Sequence, residues 1–118
     1  MTVAAAIRIT SSDEERVIRH AAAFAQQQRQ PCFIISVVRA LPYGEITDEE
    51  RDVVIRNLEL IAQSEASPIM QEGDNVAKTL LQTAQGFGVQ TLFLQTGAIA
   101  EQLLHFNPPF DVVVVSSE

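Results

Sequence analysis

Lysine and cysteine each occur once among the 118 residues, as Lys78 and Cys32, histidine occurs twice and tryptophan not at all. A lone cysteine cannot close an internal disulfide, and Cys32 lies in an apolar run with nothing near it in sequence to stabilise a thiolate, so it reads as a buried spectator in a reducing, cytoplasmic compartment. Basic residues number 8 against 15 acidic ones, for a net charge of −7, and no Lys/Arg cluster offsets that average. Such a surface repels phosphates and anionic headgroups, so neither nucleic acid nor membrane is expected as a partner. No segment approaches the roughly 20 consecutive apolar residues that span a bilayer. The opening MTVAAAIRIT has no basic leader and is interrupted by Arg8, so it does not read as a signal peptide. The P-loop pattern is missing altogether, and no histidine pair has the spacing of a metal site.

What is present is a hydrophobic content of 47% with 19% charged residues, which belongs to a folded chain and not to a disordered one. The length fits a single domain spanning residues 1–118, large enough to bury roughly two thirds of the surface exposed by its unfolded chain. No linker, repeat or low-complexity tract divides it.

The organising stretch is TLFLQTGAIAEQLL, residues 91–104. Leu92, Phe93 and Leu94 are consecutive and bulky, as in a strand buried on both faces, whereas Ile99, Leu103 and Phe106 recur at helical intervals after Gly97. The same alternation runs through the whole chain. Residues 3–9 read as a first strand, and Ser12 with Glu15 as the capping box of a helix whose stripe is Val17, Ala21, Phe24 and Ala25 and whose tail, residues 26–30, runs into solvent. Residues 32–38 read as a second strand, and residues 41–46, with Pro42 and Gly44, as a loop. Thr47 and Glu50 repeat the capping box before a stripe of Val54, Leu58, Ile61 and Ala62. A short third strand falls on residues 68–71, and Gly73 and Asp74 turn the chain into a helix carrying Val76, Leu80, Ala84 and Phe87, with Gly88 as its stop. Residues 91–95, 98–106 and 112–115 then read as strand, helix and strand. Five β-elements alternating with four helices predict an α/β protein of three layers, a doubly wound, Rossmann-like parallel sheet with helices on both faces.

Candidate chemistry is sparse. Gly86-Phe87-Gly88 begins like a dinucleotide fingerprint but precedes a strand instead of following one, and Thr91 stands at its third glycine. His20 and His105 sit in separate helices, and Asp48, Glu49, Glu50 and Asp52 form the acidic first turn that a helix dipole favours. Thr10, Ser11 and Ser12 follow the first strand without any Ser-His-Asp context. No metal site, cofactor or catalytic set is expected.

The segments ERVIRHAAAFAQQQ, GDNVAKTLLQTAQGFGVQTLFLQTG and AEQLLHFNPPFDVVVV, taken with the five strands, resemble the universal stress protein family, most closely its divergent copies in potassium-responsive sensor kinases. The resemblance covers nearly the whole chain and implies a sheet in the order 3-2-1-4-5 and dimerisation through the last strand. Nucleotide-binding members place an aspartate at the end of strand one and, after strand four, a loop G-x2-G-x9-G followed by Ser or Thr that wraps ATP phosphates. Here Thr10 falls at the aspartate position and Ser12 matches the small hydroxyl residue after it; Gly97 matches the first loop glycine, Ala100 stands at the second, and the third has no counterpart. Only thirteen residues, 98–110, separate Gly97 from Asp111, so the phosphate loop reads as deleted.

Two functional expectations follow. One is a regulatory, stress-response protein that is no enzyme, does not bind ATP in the manner of the family, and acts through protein contacts and a homodimer joined at Val112, Val113, Val114 and Val115. The other is a small-molecule module in which Thr10, Ser12, Val38, Thr96 and Gly97 line a reduced pocket for a nucleoside, AMP or another small anion.

Overall fold

In the computed structural model, which describes residues 1–38 and 46–116, the most buried strand is also the plainest in composition. β1 (Thr2–Ile7, TVAAAI) is buried at all six positions, and Val3, Ala4 and Ala5 are fully enclosed. Three consecutive alanines let helices approach from both sides, which suits the middle of a three-layer stack. β1 pairs in parallel with β2 (Cys32–Val38) and with β4 (Val89–Gln95); β3 (Ser67–Glu72) adds beyond β2 and β5 (Asp111–Val115) beyond β4. The order is β3-β2-β1-β4-β5, all parallel, as expected.

α1 (Glu15–Gln28) and α2 (Asp48–Gln63) cover one face, where Val17, Ile18, Ala21 and Ile61 pack on Val3, Ala5, Ile34 and Phe93. α3 (Val76–Gly86) and α4 (Ala98–His105) cover the other, with Leu80, Ala84, Ala100 and Leu103 on Ala4, Ala6, Ile35 and Leu92. Leftward steps use one face and rightward steps the other, so all four crossovers share one hand, as right-handed connections require.

Several local readings need correction. β1 closes at Ile7, two residues early, because the chain turns at once, the Ser11 N–H donating to the Arg8 carbonyl at 2.9 Å. α1 begins at Glu15 with Glu14 in the cap position and no side-chain cap bond, so the Ser12 capping box is not formed; the Asp13 N–H is taken by Ser11 Oγ instead. The box at Thr47 is formed, with Glu50 N–H donating to Thr47 Oγ1 at 3.0 Å and Thr47 N–H to Glu50 Oε1 at 3.2 Å. On α2 the buried positions are Asn57 and Ile61, while Leu58 and Ala62 face outward. Phe87 is 45% exposed, with its ring tilted against that of Phe33, centroids 5.3 Å apart. Gly88, at φ 67°, ends α3 as read. Of the loop read over residues 41–46, all but Ile46 lies outside the described residues. Among the described residues no helix is long and apolar enough to cross a membrane.

Candidate functional site

In a doubly wound sheet the crevice for a ligand opens beyond the carboxyl ends of the strands, where the order of connections reverses. Here that point lies between β1, whose chain leaves toward β2, and β4, whose chain leaves toward β5. One bank is residues 8–14 and the other is the connection from β4 to α4, which consists of Thr96 and Gly97 alone.

On the second bank both donors of Thr96 are taken. The Thr96 N–H and Oγ1 both donate to the Val115 carbonyl, at 3.1 and 3.4 Å, tying the turn to the end of β5. Gly97 has φ 157° and ψ −172°, a combination open essentially to glycine alone, and a Cβ there would meet nothing within 4 Å. Its requirement is therefore one of backbone conformation and not of space.

The first bank is held from two sides, and α1 is tied to the end of β5. Asn57, buried on α2, donates through Nδ2 to the Ile9 carbonyl at 2.8 Å and the Ser11 carbonyl at 2.9 Å. Gln95, the last residue of β4, donates through Nε2 to the Asp13 carbonyl across the crevice. Arg16 on α1 donates to the Ser116 carbonyl at 3.2 Å, just past β5. Within this bank Glu14 is buried, 7% exposed. Burial pushes its carboxyl up from the ordinary 4.5 to about 6, and the charge of Asp13 adds to the rise, against the Arg8 N–H that the carboxylate accepts and the Arg8 guanidinium.

Of the residues read as pocket lining, Thr10 and Val38 are half-buried, and Ser12, Thr96 and Gly97 are exposed. The cavities lie beside them. One of about 280 Å³ runs between α1 and α2, with Ser12, Arg19, Arg56, Asn57 and Leu60 among its walls, and a shallower one follows the outer face of α1 past Ser12 and His20. Ser12 borders both, whereas Thr10, Val38, Thr96 and Gly97 border neither. On β5, Val112 is half-buried and Val113 and Val114 are 38% and 41% exposed, but Val115 is 6% exposed and packed into the core beneath α1. His20 and His105 are exposed on α1 and at the end of α4. The Cys32 thiol is buried and pushed up to about 11 by loss of water.

Glu14, Asn57 and Gln95 escaped the sequence reading. Asn57 did leave a signal, since it falls three residues after Val54 and four before Ile61, a polar residue at a stripe position.

No protein-family model matches the chain, and no curated protein matches it by sequence. Solved structures do match by fold. A universal stress protein in complex with cAMP superposes with a TM-score of 0.77 at 14% identity, over 100% of this chain and 98% of that one. A protein of the universal stress protein family from Burkholderia pseudomallei gives 0.73 at 18%, covering 97% and 94%. The Archaeoglobus fulgidus universal stress protein in complex with dAMP gives 0.70 at 18%, covering 97% and 96%. The chain has the Rossmann-like fold of the universal stress proteins.

Proposed function

We propose that the chain is a universal stress protein-like regulatory protein of the cytoplasm that acts through homodimerisation and contacts with other proteins and does not hold ATP in the manner of nucleotide-binding members. The observation that carries this reading is the two-residue connection between β4 and α4. A triphosphate needs several main-chain donors or cations around it. Thr96 spends its N–H and its hydroxyl on Val115, which leaves Gly97 and the first turn of α4 against a net charge of −7. The side chains that most often serve as nucleophile or base support a role without catalysis. Cys32 is buried with its thiol held protonated, and the two histidines stand apart on exposed helix surfaces. The free edge of β5 supports the homodimer, because an unpaired edge strand with exposed valines invites a second strand. No nucleic acid, membrane or cofactor enters this reading.

A second reading, a reduced pocket for a nucleoside monophosphate at Thr10, Ser12, Val38, Thr96 and Gly97, is favoured by the structural neighbours in complex with cAMP and dAMP. One phosphate asks less of a two-residue turn than three do. A thermal-shift screen with ATP, AMP and cAMP separates the readings. Ligand at a hundred times its dissociation constant stabilises a fold by about 2.7 kcal/mol. The first reading expects no shift with any of them at millimolar concentration, and a shift with the monophosphates alone selects the second.

A further inference from the structure

We propose that the groove between α1 and α2 is a binding site for a free α-amino acid with a small apolar side chain. Arg56 takes the carboxylate, Glu59 and Asn57 Oδ1 take the ammonium, and Val53 and Leu60 receive the side chain. The site is separate from the crevice between β1 and β4 and owes nothing to the connection between β4 and α4. Its cavity of about 280 Å³ falls just under the range of roughly 300–1,000 Å³ that houses drug-sized ligands, so it suits a smaller molecule.

Helix periodicity builds the wall. Val53, Arg56, Asn57 and Leu60 recur three and four residues apart, so they share the side of α2 that borders the cavity with α1. Across the gap, Glu15 and Arg19 of α1 are already joined, Arg19 Nε and Nη2 donating to Glu15 Oε1 at 3.0 and 2.8 Å. Arg56 and Glu59 also line the cavity, and among the described residues neither has an ion-pair partner. Two guanidinium groups thus meet two carboxylates, and the walls carry no net charge. A simple anion or cation gains little from such a place, whereas a molecule carrying both signs can engage Arg56 and Glu59 together. Arg56 presents the planar fork of donors that matches a carboxylate. Asn57 decides where the ammonium goes. Its Nδ2 is committed to the Ile9 and Ser11 carbonyls, which fixes the amide, and its Oδ1 accepts from no group among the described residues and is not sealed from water. An amide oxygen held this way can only accept, so it suits an ammonium and not a carboxylate. Val53 and Leu60, both half-buried, supply the apolar surface.

The test is a titration of the intact, nitrogen-15-labelled chain followed by its amide NMR shifts. Leucine is the probe, beside 4-methylpentanoate, which lacks the ammonium, and 3-methylbutylamine, which lacks the carboxylate. Leucine is expected to give saturable shifts at Arg56, Asn57 and Leu60 in the millimolar range. Each half-probe is expected to bind about tenfold more weakly, the loss of one charge-assisted contact. Arg56→Gln and Glu59→Gln, both at exposed positions, are each expected to weaken leucine about tenfold as well. If Arg56→Gln fails to fold, Glu59→Gln carries the comparison. The site is overturned by leucine affinity unchanged in the variants, by half-probes that bind as tightly as leucine, or by no saturable shift at these residues at tens of millimolar leucine.

Discussion

Glu14 is buried, with its carboxyl raised from 4.5 to about 6, chiefly by lost hydration and next by Asp13. The folded chain therefore holds this proton more tightly than the unfolded chain does. Stability from this group is fully present below about 4.5 and declines as pH climbs through about 6. At neutral pH the ionised group is a liability on the order of 1 to 2 kcal/mol. Glu14→Gln keeps an oxygen for the Arg8 N–H and removes the charge. Its urea midpoint is expected above that of wild type near neutral pH, with the gain shrinking as pH falls toward 5.5; equal midpoints at neutral pH refute this account of Glu14. Asn57 is the second decisive residue, since its Nδ2 serves two carbonyls at once. Asn57→Ala is expected to lower stability by about 2 kcal/mol, and Asn57→Asp by more, because a carboxylate would face two acceptors. Chemical denaturation of the two variants gives that ranking directly.

Among the elements, the contrast between the two capping boxes explains what could be read locally. Thr47 and Glu50 form theirs, each side chain accepting from the other's main-chain N–H. Thr47→Ala is expected to lower stability by about 1 kcal/mol, read from the denaturation midpoint. Ser12 and Glu15 carry the same pattern and do not form it, because Asn57 from α2 and Gln95 from β4 hold residues 9–13 off the helical path. Those partners are 46 and 82 positions away in sequence, beyond the reach of any local pattern. β2 was legible to the residue because a central parallel strand is apolar almost throughout. β3 was faint because it is an edge strand on which only Ile69 is withdrawn from solvent. The stripe of α2 was misplaced at Leu58 and Ala62 because the helix turns Asn57 inward to the loop, a choice made by hydrogen bonding and not by hydropathy. Phe87 was misjudged for a related reason: it seals the end of α3 against Phe33 while remaining partly exposed.

At the scale of the whole molecule, strand order and layer assignment were readable because they follow from alternation and from resemblance, whereas the anchoring of residues 9–13 was not, because it depends on side-chain bonds between distant segments. The proposed homodimer belongs to this scale as well. Val114 is exposed on β5 while Val115 lies in the core, so the two separate assembly from folding. Val114→Lys is expected to yield a folded monomer at tens of micromolar by light scattering, and Val115→Lys to destabilise the chain itself; a dimer untouched by Val114→Lys contradicts the β5 interface. The account as a whole turns on the passage from β4 to α4 through Thr96 and Gly97. The direct measurement is calorimetric titration of magnesium-ATP into the intact chain: it predicts no saturable heat up to millimolar nucleotide, and saturable one-to-one binding in the micromolar range would contradict it.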